Sequence, residues 1–196
     1  LLKKHLPGIK TVIGGVHVTS LPEETMREFA AFDTGVVGEG EITFLELCSA
    51  IHTQSDYSGI DGLVYRENNE LHITKPRKRI ADQDSIPFPA WDLMPAANIY
   101  FVQSERGCPF SCLFCMNPNG KVPRKRSVQN VIDELNWIIK DFNPQKISFG
   151  DELFSVDMPR THALLDAMIE NKIGEQVAWD VQTHVHFVDG PMFAKF

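Results

Sequence analysis

The sequence predicts an α/β fold, and three observations carry that expectation. Short apolar runs end at glycine turns, as at Lys10-Thr-Val-Ile13 before Gly14-Gly15 and at Lys146-Ile-Ser-Phe149 before Gly150. Segments with an apolar residue every three or four positions follow them, the spacing of a helix that buries one face. The two kinds of segment alternate along most of the chain, as parallel strands joined by crossover helices do. The composition agrees: 196 residues, 43% hydrophobic and 23% charged, describe a globular chain with a sizeable core.

Taken in order, Lys10–Ile13 reads as a strand feeding a tight turn. Ser20-Leu-Pro-Glu23 has the pattern of a capping box with an early proline, predicting a helix from there to about Phe32. Thr34–Val37 is a second strand, ending at Gly38-Glu-Gly-Glu41, and the next helix carries Ile42, Leu45, Cys48 and Ile51 on its apolar side. From about Gln54 the character changes. Leu63-Val-Tyr65 and Leu71-His-Ile73 flank Asn68-Asn69, a β-hairpin pattern. A basic run, Lys75 to Arg79, and the proline-stiffened Ile86–Trp91 follow. Residues 55–97 are therefore expected to link two α/β parts, residues 1–54 and 98–196.

In the second part, Ile99–Val102 is a strand leading into a cysteine-rich loop. Ser127 can cap a helix whose face is Val128, Val131, Ile132, Leu135, Ile138, Ile139 and Phe142. After the strand Lys146–Phe149, Asp157 caps a helix with Leu164, Leu165, Met168 and Ile169 inside and Gly174 as its stop. Val177–Val181 is a third strand, and Asp189-Gly-Pro191 opens another helix. Three β-α units do not close a barrel, so the chain is expected to be a segment of a longer protein. Trp91, Trp137 and Trp179 are expected to be packing residues.

Charge and cysteine usage narrow the function. The net charge of −7 argues against non-specific nucleic-acid binding, which needs a basic face. The longest uncharged stretch, Gly107 to Gly120, is broken by Gly, Pro and Asn and does not suit a membrane span. With no signal-peptide pattern, the expected location is the cytoplasm. Of the four cysteines, Cys48 stands alone on a helix, where it reads as a small core residue, while Cys108, Cys112 and Cys115 crowd one loop. Such crowding in a cytosolic chain points to metal binding rather than disulfides.

That loop reads Glu105-Arg-Gly-Cys108-Pro-Phe-Ser-Cys112-Leu-Phe-Cys115-Met-Asn-Pro118. Its C-x3-C-x2-C spacing lets three soft thiolates take three corners of a [4Fe–4S] cube, leaving one iron open because no fourth cysteine follows. Gly107 and Pro109 help the backbone turn tightly. The competing reading is a zinc site of the three cysteines plus a histidine, or another non-catalytic Fe–S or zinc-binding module, although zinc usually takes two separate knuckles.

The motif, its place after a strand and the aromatic Phe114 before the last cysteine resemble the radical S-adenosylmethionine (SAM) superfamily. The resemblance implies that Cys108, Cys112 and Cys115 hold the cluster and that SAM chelates the open iron. One electron then cleaves SAM to a 5′-deoxyadenosyl radical. It places Phe114 near the adenine and puts Gly150, Asp151 and Glu152 at the position of the family's Gly-Gly-Glu segment, which holds the SAM amino group. It also implies a small-molecule substrate and an electron donor such as flavodoxin or ferredoxin. In a barrel, Gly150–Glu152, Gln182-Thr-His184 and the cysteine loop would meet at the carboxyl ends of strands.

The amino-terminal pattern, Gly14-Gly-Val-His17-Val-Thr19 followed by Val36-Val-Gly38-Glu39-Gly-Glu41, resembles the second half of the cobalamin-binding domain of B12-dependent radical SAM proteins. Gly14, Gly15, Gly38 and Glu39 would line the cobalamin tail, since a Cβ there would hinder close approach. The fold implied is the C-terminal part of a Rossmann-like cobalamin-binding domain followed by a partial (β/α) TIM-type barrel. The activity implied is methyl transfer to an unactivated carbon, or a ring closure like that of the anaerobic Mg-protoporphyrin monomethyl ester cyclase. Arg124-Lys-Arg126 and Lys75–Arg79 read as solvated loops, His162 as a surface residue, and His184 and His186 as possible rim residues.

Overall fold

The computed structural model describes residues 2–196. The chain divides into two compact units, one up to Ile80 and the other from Ala81 to Phe196.

The first unit opens with a short helix, α1 (Leu2–His5), and the strand β1 (Val12–Ile13). Helices α2 (Val16–Ser20) and α3 (Pro22–Glu28) lead to β2 (Thr34–Val36), which pairs with β1 in parallel. The expected capping box does not form. Ser20 ends α2 and its hydroxyl donates to Val16 O (2.7 Å), so Leu21 starts α3 without a side-chain cap. Its Pro22 supplies the helical start instead. Helix α4 (Gly40–Thr53) buries Thr43, Leu47 and Ala50, one residue off the expected stripe. Ile42 and Leu45 are exposed, Leu45 by 67%, and so is Cys48, which is not a core residue. The apolar residues on α4 run almost all round it, so their spacing did not single out the buried face.

The hairpin forms as expected from β3 (Leu63–Glu67) and β4 (Glu70–Ile73), with Asn68 and Asn69 both at positive φ, as a two-residue hairpin turn requires. It does not stand in a linker. β3 pairs antiparallel with β2, giving one four-stranded sheet in the order β1-β2-β3-β4. The rest of the expected linker, from Ala81, packs on the second unit. The Phe88 ring stacks on Trp137 at 6.3 Å, and Trp91 meets Tyr100 edge-on at 5.3 Å. Segment 55–97 thus divides between the units because its hydrogen-bonding edge and its aromatic faces both find partners.

The second unit carries a parallel sheet of β5 (Ile99–Val102), a small antiparallel ribbon of β6 (Glu105–Arg106) with β7 (Arg124–Lys125), and helix α5 (Val128–Phe142). Strand β8 (Lys146–Phe149), helices α6 (Met158–Glu170) and α7 (Ile173–Gln176), strand β9 (Ala178–Asp180) and helix α8 (Gly190–Phe193) complete it. Strand order in the sheet is β5-β8-β9, all parallel. The α/β expectation holds. Ser127, Asp157 and Asp189 cap α5, α6 and α8 by accepting from the backbone N–H three positions on, as the sequence predicts for the first two. Tyr100, Val131, Leu135, Ile138, Ile147, Phe149 and Leu164 form the core between the sheet and α5–α6. Ile169 is exposed, and α6 ends at Asn171, ahead of Gly174, which lies inside α7. All three tryptophans pack against other rings, as expected.

A close fit in the first unit is testable. A Cβ on Gly35 would stand 2.7 Å from Val64 Cγ1 and 2.8 Å from Val18 Cγ2, both on fully buried, β-branched side chains. Gly35→Ala is expected to lower stability by about 1–3 kcal/mol, measured by urea unfolding. An unchanged midpoint would mean that this packing yields freely.

Candidate cluster and cofactor site

The site is built from the carboxyl ends of β5, β8 and β9, where catalytic groups of β/α sheets gather. The cysteine loop leaves β5 through β6 and returns through β7, with Glu105 opposite Lys125 and Arg106 opposite Arg124. This ribbon is the neck of the loop. Gly107 sits there at φ 104°, and a Cβ on it would come within 2.7 Å of Val122 O and 3.0 Å of Gly120 O. Glycine is needed on both counts. The Cys108 N–H donates to Gly120 O (2.9 Å), which closes the neck.

Beyond the neck the loop is open. Cys108 is half-buried, Cys112 and Cys115 are exposed, and Phe114 is 93% exposed. As placed, no three of His, Cys, Asp and Glu among the described residues are gathered closely enough to hold a metal. The donor chemistry still fits an iron–sulfur cluster: three thiols on one short loop, with internal bracing. Asn117 supplies that bracing at positive φ. Its side-chain amide donates to Cys108 O (2.6 Å) and its backbone N–H donates to Cys115 Sγ (3.4 Å). Asn117 was not singled out from the sequence. Its signal is an Asn two residues past the last cysteine, a residue type that tolerates the left-handed turn.

The strand end after β8 lies beneath this loop. Asp151 is 2% exposed, and its carboxylate accepts from the Ser104 N–H (2.7 Å), the Ser104 hydroxyl (2.7 Å) and the Glu105 N–H (3.1 Å). Glu152 accepts from the Gly107 N–H (3.1 Å) and from the Asn119 side-chain amide. Gly150 donates its N–H to Val102 O (2.8 Å), continuing the β5–β8 ladder. Of the residues expected near SAM, then, Asp151 and Glu152 direct their carboxylates into the protein, while Phe114 stays free at the loop tip.

The third strand end also arrives here. His184 packs against Phe110 of the cysteine loop at 4.8 Å and against His186 at the same separation. Phe187 reaches Phe110 at 5.9 Å. His162 is half-buried rather than on the surface, with Nε2 3.0 Å from Asp189. Arg126 is not a solvated loop residue either. It ion-pairs with the buried Glu134, which also accepts from Trp91 Nε1 (3.0 Å), and Lys125 pairs with Asp157.

Glu105 is the most unusual group in the site. It is 1% exposed and, among the described residues, its carboxyl oxygens have no hydrogen-bond partner; Arg160 Nη1 is 3.9 Å away. Burial pushes its carboxyl up to about 8, and the neighbouring Asp151 charge adds to this, against the pull of Arg160 and Lys125. Burial also raises Asp151, to about 6, opposed by its bonds from Ser104 and Glu105. Because Asp151 alone receives hydrogen bonds, it is the member that carries the charge near neutral pH and Glu105 the one that keeps its proton.

In the first unit, parallel pairing sets the loops after β1 and β2 side by side. Thr19 joins them: its hydroxyl donates to Gly15 O (2.8 Å) and accepts from the Gly38 N–H (3.0 Å). Gly15 (φ 97°) and Gly38 (φ 85°) are in the left-handed region, and the space where Cβ atoms of Gly14, Gly15 and Gly38 would stand is open. An open, side-chain-free cradle of this kind fits close approach of a large cofactor. Glu39 turns its carboxylate inward to accept from the Ile80 N–H (2.8 Å).

The B12 binding domain family matches residues 1–48. An uncharacterised methyltransferase of Pyrococcus horikoshii is 38% identical over 89% of this chain and 40% of its own length. The cobalamin-dependent radical SAM methyltransferase TokK of Streptomyces tokunonensis is 28% identical over 90% of this chain and 28% of its own. The chain is thus similar to cobalamin-dependent radical SAM methyltransferases, and its first 48 residues match the B12 binding domain. It spans less than half the length of these relatives. In fold it resembles the radical SAM methyltransferase TsrM of Kitasatospora setae (TM-score 0.79, 17% identity, 98% of this chain and 40% of that one). No helix among the described residues is long and apolar enough to cross a membrane.

The buried carboxyl pair predicts a pH dependence. A carboxyl raised from 4.5 to about 8 by folding adds stability that is complete below about pH 4.5 and is lost as pH rises through 8. The slope approaches about 1.4 kcal/mol per pH unit at most. Glu105→Gln should match the parent near pH 4.5 and be the more stable of the two at pH 8, read by denaturant unfolding across that range. A parent slope that persists unchanged in the variant would place its origin elsewhere.

Proposed function

We propose that this chain forms part of a radical SAM enzyme that carries a [4Fe–4S] cluster on Cys108, Cys112 and Cys115 and works with cobalamin. The reaction proposed is methylation or cyclisation at an unactivated carbon of a small molecule, with a flavodoxin- or ferredoxin-type electron donor. When bound, the reduced cluster supplies the electron that splits SAM into methionine and a 5′-deoxyadenosyl radical, while cobalamin supplies a methyl carrier. The observation that supports this best is three thiols on one loop whose neck is fastened to the end of the neighbouring parallel strand.

The chain's own residues take the following roles. The thiolates of Cys108, Cys112 and Cys115 bind three irons, and the Asn117 N–H aimed at Cys115 Sγ is one of the levers that set a cluster's potential. Phe114, free at the loop tip, covers the adenine, and the main chain at Gly150 faces the SAM amino group. Asp151 and Glu152 act from behind by holding the loop. Gly14, Gly15 and Gly38 admit the cobalamin tail, with Glu39 fixing the turn from within.

The test is anaerobic reconstitution of the full-length protein with iron and sulfide. The expected result is an EPR signal of the reduced cluster that changes with SAM, 5′-deoxyadenosine after dithionite, and bound corrinoid. Cys108→Ala should abolish the signal. Zinc at the three thiols, or a cluster insensitive to SAM, would overturn the enzymatic reading; SAM cleavage with no corrinoid would overturn only its cobalamin part.

A further inference from the structure

We propose that Glu152 is a positioning residue that clamps the neck of the cysteine loop to the end of β8, in the absence as well as in the presence of SAM. The inference rests on the cluster reading of that loop. Its geometric basis stands alone. One carboxylate oxygen accepts from the Gly107 N–H at the start of the loop (3.1 Å), and the other accepts from the Asn119 amide at its end. One side chain on a neighbouring strand therefore bridges both sides of the neck.

The need for such a clamp follows from the loop itself. The residues between Ser111 and Met116 are exposed and have little packing to place them. Gly107 occupies a left-handed backbone state beside two carbonyls. The ribbon that closes the neck is only two residues long on each strand. A carboxylate receiving two N–H donors makes bonds stronger than neutral ones and fixes direction as well as distance. Arg124 Nη2 donates to Asn119 O (3.0 Å), so the residue that meets Glu152 is held from its other side too. Asp151, the preceding residue, ties the same strand end to Ser104 and Glu105. Adjacent carboxylates thus grip successive parts of the segment that leads to Cys108.

The clamp makes a claim distinct from a SAM contact. Glu152→Ala should speed exchange of the Gly107 amide in the cluster-free protein about tenfold, the factor expected when a charge-assisted bond is removed. In the reconstituted protein without SAM, the same variant should lose its cluster to a chelator several-fold faster than the parent. Glu152→Gln keeps one acceptor and should fall between the two. Asn119→Ala should reproduce part of the loss, and Asn119→Ala combined with Glu152→Ala should be no worse than Glu152→Ala alone. Unchanged amide exchange and unchanged SAM-free cluster retention in Glu152→Ala, with only SAM affinity reduced, would overturn the clamp. If the parent takes up no cluster, the cluster reading falls, while the exchange experiment still decides whether the clamp exists. Far-UV circular dichroism separates both results from misfolding.

Discussion

The carboxylate of Asp151 is the constraint on which the rest of the second unit depends. Parallel strands leave their carboxyl ends as a fringe of unpaired backbone groups, and those groups must find partners when buried. Asp151 meets that need at the point where β5 has ended and the cysteine loop begins. Its three bonds to Ser104 and Glu105 carry the β5–β8 pairing past the last ladder bond. The entry to the loop is thereby fixed by a neighbouring strand rather than by the loop's own residues. Arg160 completes the junction from α6, donating to Ser104 O and Arg126 O (both 2.9 Å).

That junction explains why a second carboxyl can sit beside the first without a hydrogen bond. The Glu105 side chain is carried inward by the same backbone that Asp151 grips, so its burial is a consequence of the loop's placement. Two negative charges so close in a dry site would repel strongly; leaving one of them protonated removes the conflict. The division of roles follows from the hydrogen bonds: three donors address Asp151 and none among the described residues addresses Glu105. Arg160, beside Glu105 at 3.9 Å, balances the remaining charge.

The sequence made parts of this legible and hid others for identifiable reasons. Helix α5 was readable because its apolar stripe is clean and Ser127 is a strong cap, and the thiol loop because its spacing is chemically unusual. Helix α4 was misread because Ile42, Phe44, Leu45, Leu47 and Ile51 surround the axis, so periodicity could not choose a face. Ser20 was misread because the hydroxyl that caps one helix can as easily bond back to the preceding turn of another. The hairpin was visible, but its attachment to β2 depends on pairing between distant segments, which local patterns do not encode. The inward turn of Asp151 and Glu152 was likewise invisible: a Gly-Asp-Glu segment has the same composition whether its carboxylates face a ligand or the protein.

The two loop systems differ in how they are held, and the difference suits what each is proposed to accommodate. In the first unit the glycine loops after β1 and β2 are joined by one neutral residue, Thr19, whose hydroxyl both donates and accepts. The positions where Cβ atoms of Gly14, Gly15 and Gly38 would stand are open, which suits a broad surface laid against backbone. In the second unit the neck of the cysteine loop is held by the acidic side chains of Glu152 and Asp151, with Arg124 and Arg160 behind them. Charge-assisted bonds resist displacement better than neutral ones, which suits the proposed task of keeping three sulfur donors in register. Beyond the neck the bonds are those of the loop to itself, from Asn117 to Cys108 O and Cys115 Sγ and from Lys121 Nζ to Ser111 Oγ (2.7 Å), while Leu113 and Phe114 stand exposed. A firmly held base beneath an exposed tip would let the proposed donors settle around a cluster without moving the strands beneath.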